Sequence, residues 1–359
     1  MSSLLVLEDG TSFRGESAGA PGTFFGEIVF NTSMTGYQEV LTDPSYGGQL
    51  VVMTVCHVGN YGGRPEEAES GRVQAAGFLA RDFPGVWSGT GGSFGLPEYL
   101  REAGIPGFFG FDSRSLVRHL RSKGAMRAGI STQIAEPAEL QRQVLEAPEM
   151  EGSALALTAG TSTVYESRAA SPRFRVAAID YGIKRNLLRL LNAAGCDVTV
   201  YPARISPEEI RAGSPDGIFL SNGPGDPAAL PECVETVRSL IGEKPIFGVC
   251  LGHQILGRAL GASTFKLKFG HRGGNHPVQD LDSRTIAITS QNHGFSVDPK
   301  GLPPGAAVSH VNLNDGTVEG FRDPGRKILA IQFHPEGAPG PHDARPLFGE
   351  FLRMMEAAS

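Results

Sequence analysis

The residues best suited to chemistry lie where a buried-strand run passes directly into a helical run, in PIFGVCLGHQ (245–254). Gly248-Val-Cys250-Leu-Gly252 has the Gly-x-nucleophile-x-Gly form of a nucleophile elbow, with cysteine in the place of serine. A side chain on that bend projects into the crevice at the carboxyl end of the strand, and the flanking glycines leave room for the sharp turn. The positive end of the following helix favours thiolate over thiol, and the amides after the cysteine are placed to bind an oxyanion. A buried structural cysteine is the competing reading of the same residue.

A thiolate that transfers acyl groups needs a base. Ile328-Leu-Ala-Ile-Gln-Phe-His334 reads as a buried strand ending on a histidine, and Glu336 follows two residues later, where strand periodicity returns side chains to the same face. The carboxylate can then hold the imidazole in one tautomer and stabilise its protonated form. Eight other histidines compete on sequence alone. A third stretch, FLSNGPGDP (219–227), ends a strand in a glycine-rich turn, and Gly223 to Ala228 formally matches the dinucleotide fingerprint G-x-G-x-x-A. That reading fails because the next strand ends at Cys250 with no acidic residue to hold a ribose, and prolines 224 and 227 remove backbone donors. No Gly-Lys dipeptide occurs, so a Walker A phosphate loop is absent as well. Gly223 and Gly225 instead bring backbone close to a small ligand. SQNHGF (290–295) offers amide, imidazole and backbone groups suited to a polar amino acid, with a self-satisfied turn as the alternative.

The elements that must position these residues alternate from Phe174 onward. Strand runs at 175–179, 197–201, 217–220 and 245–249 are separated by helical runs at 184–194, 228–242 and 253–260, an order that predicts a parallel sheet covered on both faces. Ser206-Pro207-Glu208-Glu209 combines an N-cap serine, a first-turn proline and a capping-box glutamate. Residues 280–335 turn more β-rich, and an amphipathic helix near 343–356 closes the chain. The expected class is α/β: a Gly-rich, β-containing N-terminal domain over 1–152, a small and polar linker over 153–173, and a doubly wound, mostly parallel-sheet domain over 174–359.

Composition limits what such a protein does. The chain has 359 residues, enough for two domains, with 40% hydrophobic and 19% charged residues, which is ordinary for a globular protein and excludes general disorder. Net charge is -6, with no basic field for holding phosphate backbones, so nucleic acid is not an expected partner. Residues 1–170 hold 12 basic against 19 acidic residues and 171–359 hold 20 against 19, so the two halves differ in kind. No apolar run approaches the roughly 18 residues of a membrane span, and Leu4 to Leu7 is too short for a signal peptide core, so a cytoplasmic protein without membrane contact is expected. The four cysteines, at 56, 196, 233 and 250, lack zinc-site spacing and are expected to be free thiols with no bound metal.

With Cys250, His334 and Glu336 in that order, residues 174–359 resemble class I glutamine amidotransferase domains, through SNGPGDP (221–227), GVCLGHQ (248–254) and HPE (334–336) together. FKLKFGHRGGNHPV (265–278), TSQNHGF (289–295), HVNLNDGTVEG (310–320) and PGPHD (339–343) are similar to the small subunit of carbamoyl phosphate synthetase in particular. So are VFNTSMTGYQEVLTDPSYGGQ (29–49), HVGNYG (57–62), DSRSLVRHLRSKGAMR (112–127) and AAIDYGIKRN (177–186). The resemblance implies a glutaminase that releases glutamate and ammonia from L-glutamine. Ammonia would pass to a separate large subunit that makes carbamoyl phosphate from bicarbonate and ATP, for arginine or pyrimidine synthesis or both. It implies Cys250 as nucleophile, His334 as acid and base, and Glu336 as its partner, with the amides of Gly223 and Leu251 as the oxyanion hole. Glutamine contacts would come from Ser45, Gly223, Gly225, Leu251, Gln254, Asn292, Gly294 and Phe295, with His293 in support. No cofactor is implied in this chain; ATP and Mg would belong to the large subunit, the pair forming a heterodimer or a higher oligomer.

Three other readings compete: a glutaminase feeding a different synthase, a non-catalytic regulatory subunit, and an esterase or peptidase using the elbow. Three departures from the family pattern also stand out, one of them the stretch DFPGVWSGTGGSFG (82–95), which is richer in glycine than the pattern and leaves the local loop undefined by the resemblance. Cys56 replaces a proline, and Gly337-Ala338 follows HPE where Ala-Ser is expected, a change that removes a hydroxyl and predicts a looser turn.

Overall fold

The computed structural model describes residues 1–89 and 91–358. Two compact units emerge: Met1–Ser153 with Lys268–Arg272, and Ala154–Leu267 with Gly273–Ser359. The first is a closed barrel of seven strands among the described residues. These are β1 (Ser2–Leu7), β2 (Ser12–Gly19), β3 (Thr23–Asn31), β4 (Gln49–Met53), β5 (Gly77–Leu79), β6 (Pro106–Phe109) and β7 (Met126–Ser131), in the order β1-β2-β6-β5-β4-β3-β7. Alternation along the strands sends Leu5 and Leu7 into one apolar cluster with Ile28, Leu50, Leu79, Phe108 and Ile130, while Leu4 and Val6 pack with Leu140 on the other side. Closure leaves no open edge for another chain to pair with.

The second unit is built on one sheet: β8 (Tyr165–Ser167), β9 (Phe174–Asp180), β10 (Cys196–Pro202), β11 (Gly217–Leu220), β12 (Ile246–Val249), β13 (Ser263–Asp280), β14 (Ile286–Asp298), β15 (Ala307–Asn312), β16 (Val318–Asp323) and β17 (Ile328–Ile331), ordered β14-β13-β15-β16-β17-β12-β11-β9-β10-β8. Strands β17, β12, β11, β9 and β10 run parallel, as the alternating sequence predicts. The β-rich stretch after residue 262 extends this core with antiparallel pairs. Both faces are covered. Ile218, Leu220 and Ile246 pack under helices Pro231–Leu240 and Leu251–Ala259, whereas Phe219, Phe247 and Val249 pack under Arg185–Ala193 and Pro346–Ala358. The period-2 exchange of Ile218, Phe219 and Leu220 between the two clusters is what a strand buried on both sides requires. The capping box at Ser206 and Glu209 is present, with Pro207 in the first turn.

Of the segment 153–173, expected as a linker, all but Ser153 is part of the second unit's fabric. Ala154 begins that unit, Ala156 is fully buried in its core within the short helix Ala156–Ala159, and β8 pairs antiparallel with β10. Its small and polar composition hid both elements, because β8 is exposed and the helix has four residues. No helix among the described residues is long and apolar enough to cross a membrane.

Candidate active site

At the junction of β12 and helix Leu251–Ala259, Cys250 has φ 54° and ψ -105°, a conformation that a residue with a side chain rarely adopts. Strain of this kind, on the order of 1–3 kcal/mol, persists only where the surroundings enforce it, and here they do. The Cys250 amide donates to Ile331 O (2.9 Å) and the Gly252 amide to Ser221 O (3.0 Å). A Cβ on Gly252 would sit 2.2 Å from Leu220 O, and one on Gly248 would sit 2.9 Å from Gly252, so the bend closes only with glycine at both places. The Cys250 side chain is buried, with its sulfur 3.6 Å from Asn292 O. Leu251 is the first helical residue, where the N–H has no intrahelical acceptor. Burial pushes the other two interior thiols up, Cys196 to about 12 and Cys233 to about 11, while Cys56 is exposed in the first unit.

β17 ends one strand over from the elbow and leads into His334, whose amide donates to Ser290 O (2.9 Å). His334 Nδ1 lies 2.8 Å from Glu336 Oε1 with both side chains fully buried, so the carboxylate fixes the proton on Nδ1. Nε2 has no hydrogen-bond partner among the described residues, and Cys250 is among the groups that favour the protonated imidazole. Burial by itself pulls the His334 pKa down. The Glu336 carboxylate outweighs that with help from Cys250 and against Lys184, and the result is a rise to about 10. Burial likewise favours a neutral Glu336, but the Lys184 and His334 charges bring it down to about 2. The two shifts run in the directions that favour an imidazolium paired with a carboxylate. His253 and His310 are unsuited to the same task, because burial holds them neutral at about 3 and about 4.

Lys184, which the sequence did not single out for this role, completes the arrangement. Its ammonium donates to Glu336 Oε1 and to Ala338 O, each at 2.7 Å, with 1% of the residue exposed. The turn that carries it is built from the motif residues themselves. Asp180 accepts from the amides of Gly182 (2.8 Å) and Ile183 (2.7 Å), Ser221 Oγ accepts from the Tyr181 amide (2.9 Å), and Asn222 Oδ1 accepts from the Lys184 amide (3.2 Å). Asn186 adds a bond to Glu336 O (3.1 Å). Lys184 and Asn186 thus tie the turn at Ala338 O and Glu336 O. Gly337 takes φ 59°, where a Cβ would meet Pro341 O at 2.2 Å. AAIDYGIKRN places Lys184 on the turn directly after a buried strand, but nothing in it marks Glu336 as the partner.

The expected ligand contacts divide by unit. SQNHGF is a stretch of β14, not a separate turn. Within it, His293 Nδ1 meets Phe295 O (2.8 Å) and Nε2 meets Gln291 Oε1 (3.1 Å). Gln254 Nε2 donates to Phe295 O (2.8 Å), tying the elbow helix to the same strand. Hydrogen bonds therefore gather Cys250, Gln254, Asn292, His293, Phe295, His334 and Glu336 into one neighbourhood, and Leu251 adjoins Cys250 in the chain. Gly223 belongs there as well, since a Cβ on it would lie 2.2 Å from Tyr181 O and 2.9 Å from Leu251. Gly225 takes φ 92° in the same loop and Gly294 lies in β14. Ser45 lies in the first unit, on the short turn Pro44–Tyr46, where its amide donates to Asp43 Oδ1 (2.9 Å). An acid and base pair joined to a nucleophile on a strained bend can run acyl transfer through a covalent intermediate.

Residues 177–354 match the family described as glutamine amidotransferase class-I, and residues 5–130 match the carbamoyl-phosphate synthase small chain, CPSase domain. Over 99% of its length the chain is 52% identical to a carbamoyl phosphate synthase small chain from Nostoc, covering 95% of that protein. It is 50% identical over 99% of its length to the protein of the same name from Thermosynechococcus vestitus, covering 96% of it. Against the one from Chlorobaculum tepidum it is 50% identical over 98% of its length, covering 97%.

Proposed function

The chain belongs to the carbamoyl phosphate synthase small-chain family and is a glutamine-hydrolysing synthase subunit, and from that premise we propose that it opens the side-chain amide of glutamine through a Cys250 thioester and delivers the ammonia to a larger partner chain. The observation that carries the reading is the joined set of Cys250 at positive φ, His334 beside it, and Glu336 with Lys184 behind. Membership in this family sets aside the glutaminases that feed other synthases.

In the proposed reaction the Cys250 thiolate attacks the amide carbon, and the carbonyl oxygen takes up negative charge facing the amides of Leu251 and Gly223. His334, protonated in the resting site, gives a proton to the departing nitrogen as the carbon–nitrogen bond breaks, releasing ammonia and leaving a glutamyl thioester. The now neutral imidazole takes a proton from water, the hydroxide attacks the thioester, and the carbon–sulfur bond breaks to give glutamate and thiolate. Glu336 keeps Nδ1 protonated throughout, so Nε2 alone handles the travelling proton. The ATP-dependent steps belong to the partner, and a cytoplasmic location fits the pair.

The test is glutamate release by the purified chain, alone and with the large chain co-purified from the same cells. Release that depends on glutamine, accompanied by carbamoyl phosphate in the complex, is expected. Absence of glutamate from an ammonia-competent complex would instead support a regulatory subunit.

A further inference from the structure

Gln254 lies one helical turn beyond Cys250, on the same face of helix Leu251–Ala259, so its side chain leans back over the turn that carries the nucleophile. Its amide orientation is fixed by chemistry. Phe295 O is a carbonyl and only accepts, so Nε2 must face it (2.8 Å), and the second N–H goes to Gln332 Oε1 (2.9 Å). Both donors are consumed, and Oε1 has no protein donor among the described residues. Gln332 sits just past β17, two residues before His334, with no exposed surface. Its own Nε2 is buried without a partner, an unfavourable state that an apolar side chain of similar size would avoid.

We propose that Gln332 is a positioning residue: with Nε2 already turned to Phe295 O, it takes the second N–H and fixes the amide plane of Gln254, so that Oε1 is held as an acceptor and the site selects a ligand offering an N–H donor at this point. Without Gln332, Nε2 keeps its bond to Phe295 O but loses the second one, so the amide plane can pivot about the remaining bond and swing Oε1 out of its ligand-ready position. The inference rests on the glutamine reading, and glutamine has two groups of the required chemistry, the α-ammonium and the side-chain amide.

The test uses the complex with its large chain and compares native protein with Gln332→Met, Gln254→Leu and the double variant. Gln332→Met should raise KM for glutamine about tenfold with kcat nearly unchanged, as expected for the loss of one binding interaction. In the Gln254→Leu background the same substitution should have no further effect, because no amide remains to be oriented. Gln332→Glu, which keeps an accepting oxygen, should hold KM well below the Gln332→Met value, and it preserves the test should the methionine variant fail to fold. Glutaramate, which lacks the α-ammonium, tells the two donors apart. An unchanged KM for it in Gln332→Met assigns the contact to the ammonium, and a parallel rise assigns it to the amide. Equal, multiplicative losses in both backgrounds, or a fall in kcat with KM unchanged, would overturn the proposal. A native complex that releases no glutamate would instead overturn the glutaminase reading beneath it.

Discussion

Serine at position 250 should lower glutamine hydrolysis at least roughly a thousandfold, while the complex with its large chain still makes carbamoyl phosphate from added ammonia at close to the native rate. The expected loss is large because the sulfur is the atom that forms and breaks the covalent bond, and a neutral hydroxyl is a far weaker nucleophile than a thiolate beside an imidazolium. The expected sparing follows from the geometry. Cys250 is buried on a bend enforced by Gly248, Gly252 and the Ile331 carbonyl, none of which touches the sulfur's chemistry, and serine occupies nearly the same volume. Glutamate release and ammonia-driven synthesis, measured on one preparation, separate a lost nucleophile from a lost fold.

Lys184→Met should be the most damaging substitution for stability among the site residues. It leaves the Glu336 carboxylate buried with no cation except the imidazolium, and breaking such a pair from one side costs about 3–5 kcal/mol. The sign of its pH dependence follows from Glu336, whose pKa is lowered from 4.5 to about 2 in the folded chain. A depressed carboxylate contributes stability that is fully present above its unfolded pKa and is lost as pH falls through the folded one. The difference between native and variant should therefore be largest above pH 4.5 and shrink as pH falls toward about 2. Denaturant unfolding at a series of pH values reads both the size and the trend. A deficit that stays constant into acid would mean that Lys184 acts by packing its methylenes and not by its charge.

How much of this was legible in the sequence depended on distance along the chain. The elbow and the His-x-Glu pair are local: each sits on a strand whose apolar run is unmistakable, and each is completed within a few residues. The alternation of strands and helices from Phe174 onward likewise fixed the parallel core, because every element carries its own periodicity. Lys184 was not legible as Glu336's partner, since the two lie 152 residues apart and a lysine in a turn normally faces water. Gln332 was hidden for the same reason, its meaning coming from a helix 78 residues earlier. The closed barrel was also beyond reach, because Gly-rich strands of three to nine residues announce themselves as β but not their order. Lys268–Arg272 lies within an unbroken strand yet packs with the N-terminal unit, a division that no composition shift marks.

The central claim is that glutamine is opened by covalent attack from Cys250, and the most direct measurement is acid quenching of the complex during turnover, followed by mass analysis of the Cys250 peptide. A mass increase of one glutamyl group on that cysteine is predicted, appearing before steady state, lost on treatment with hydroxylamine, and absent from Cys250→Ser. Steady glutamate release with Cys250 unmodified at every quench time, or undiminished release by the serine variant, would contradict the account.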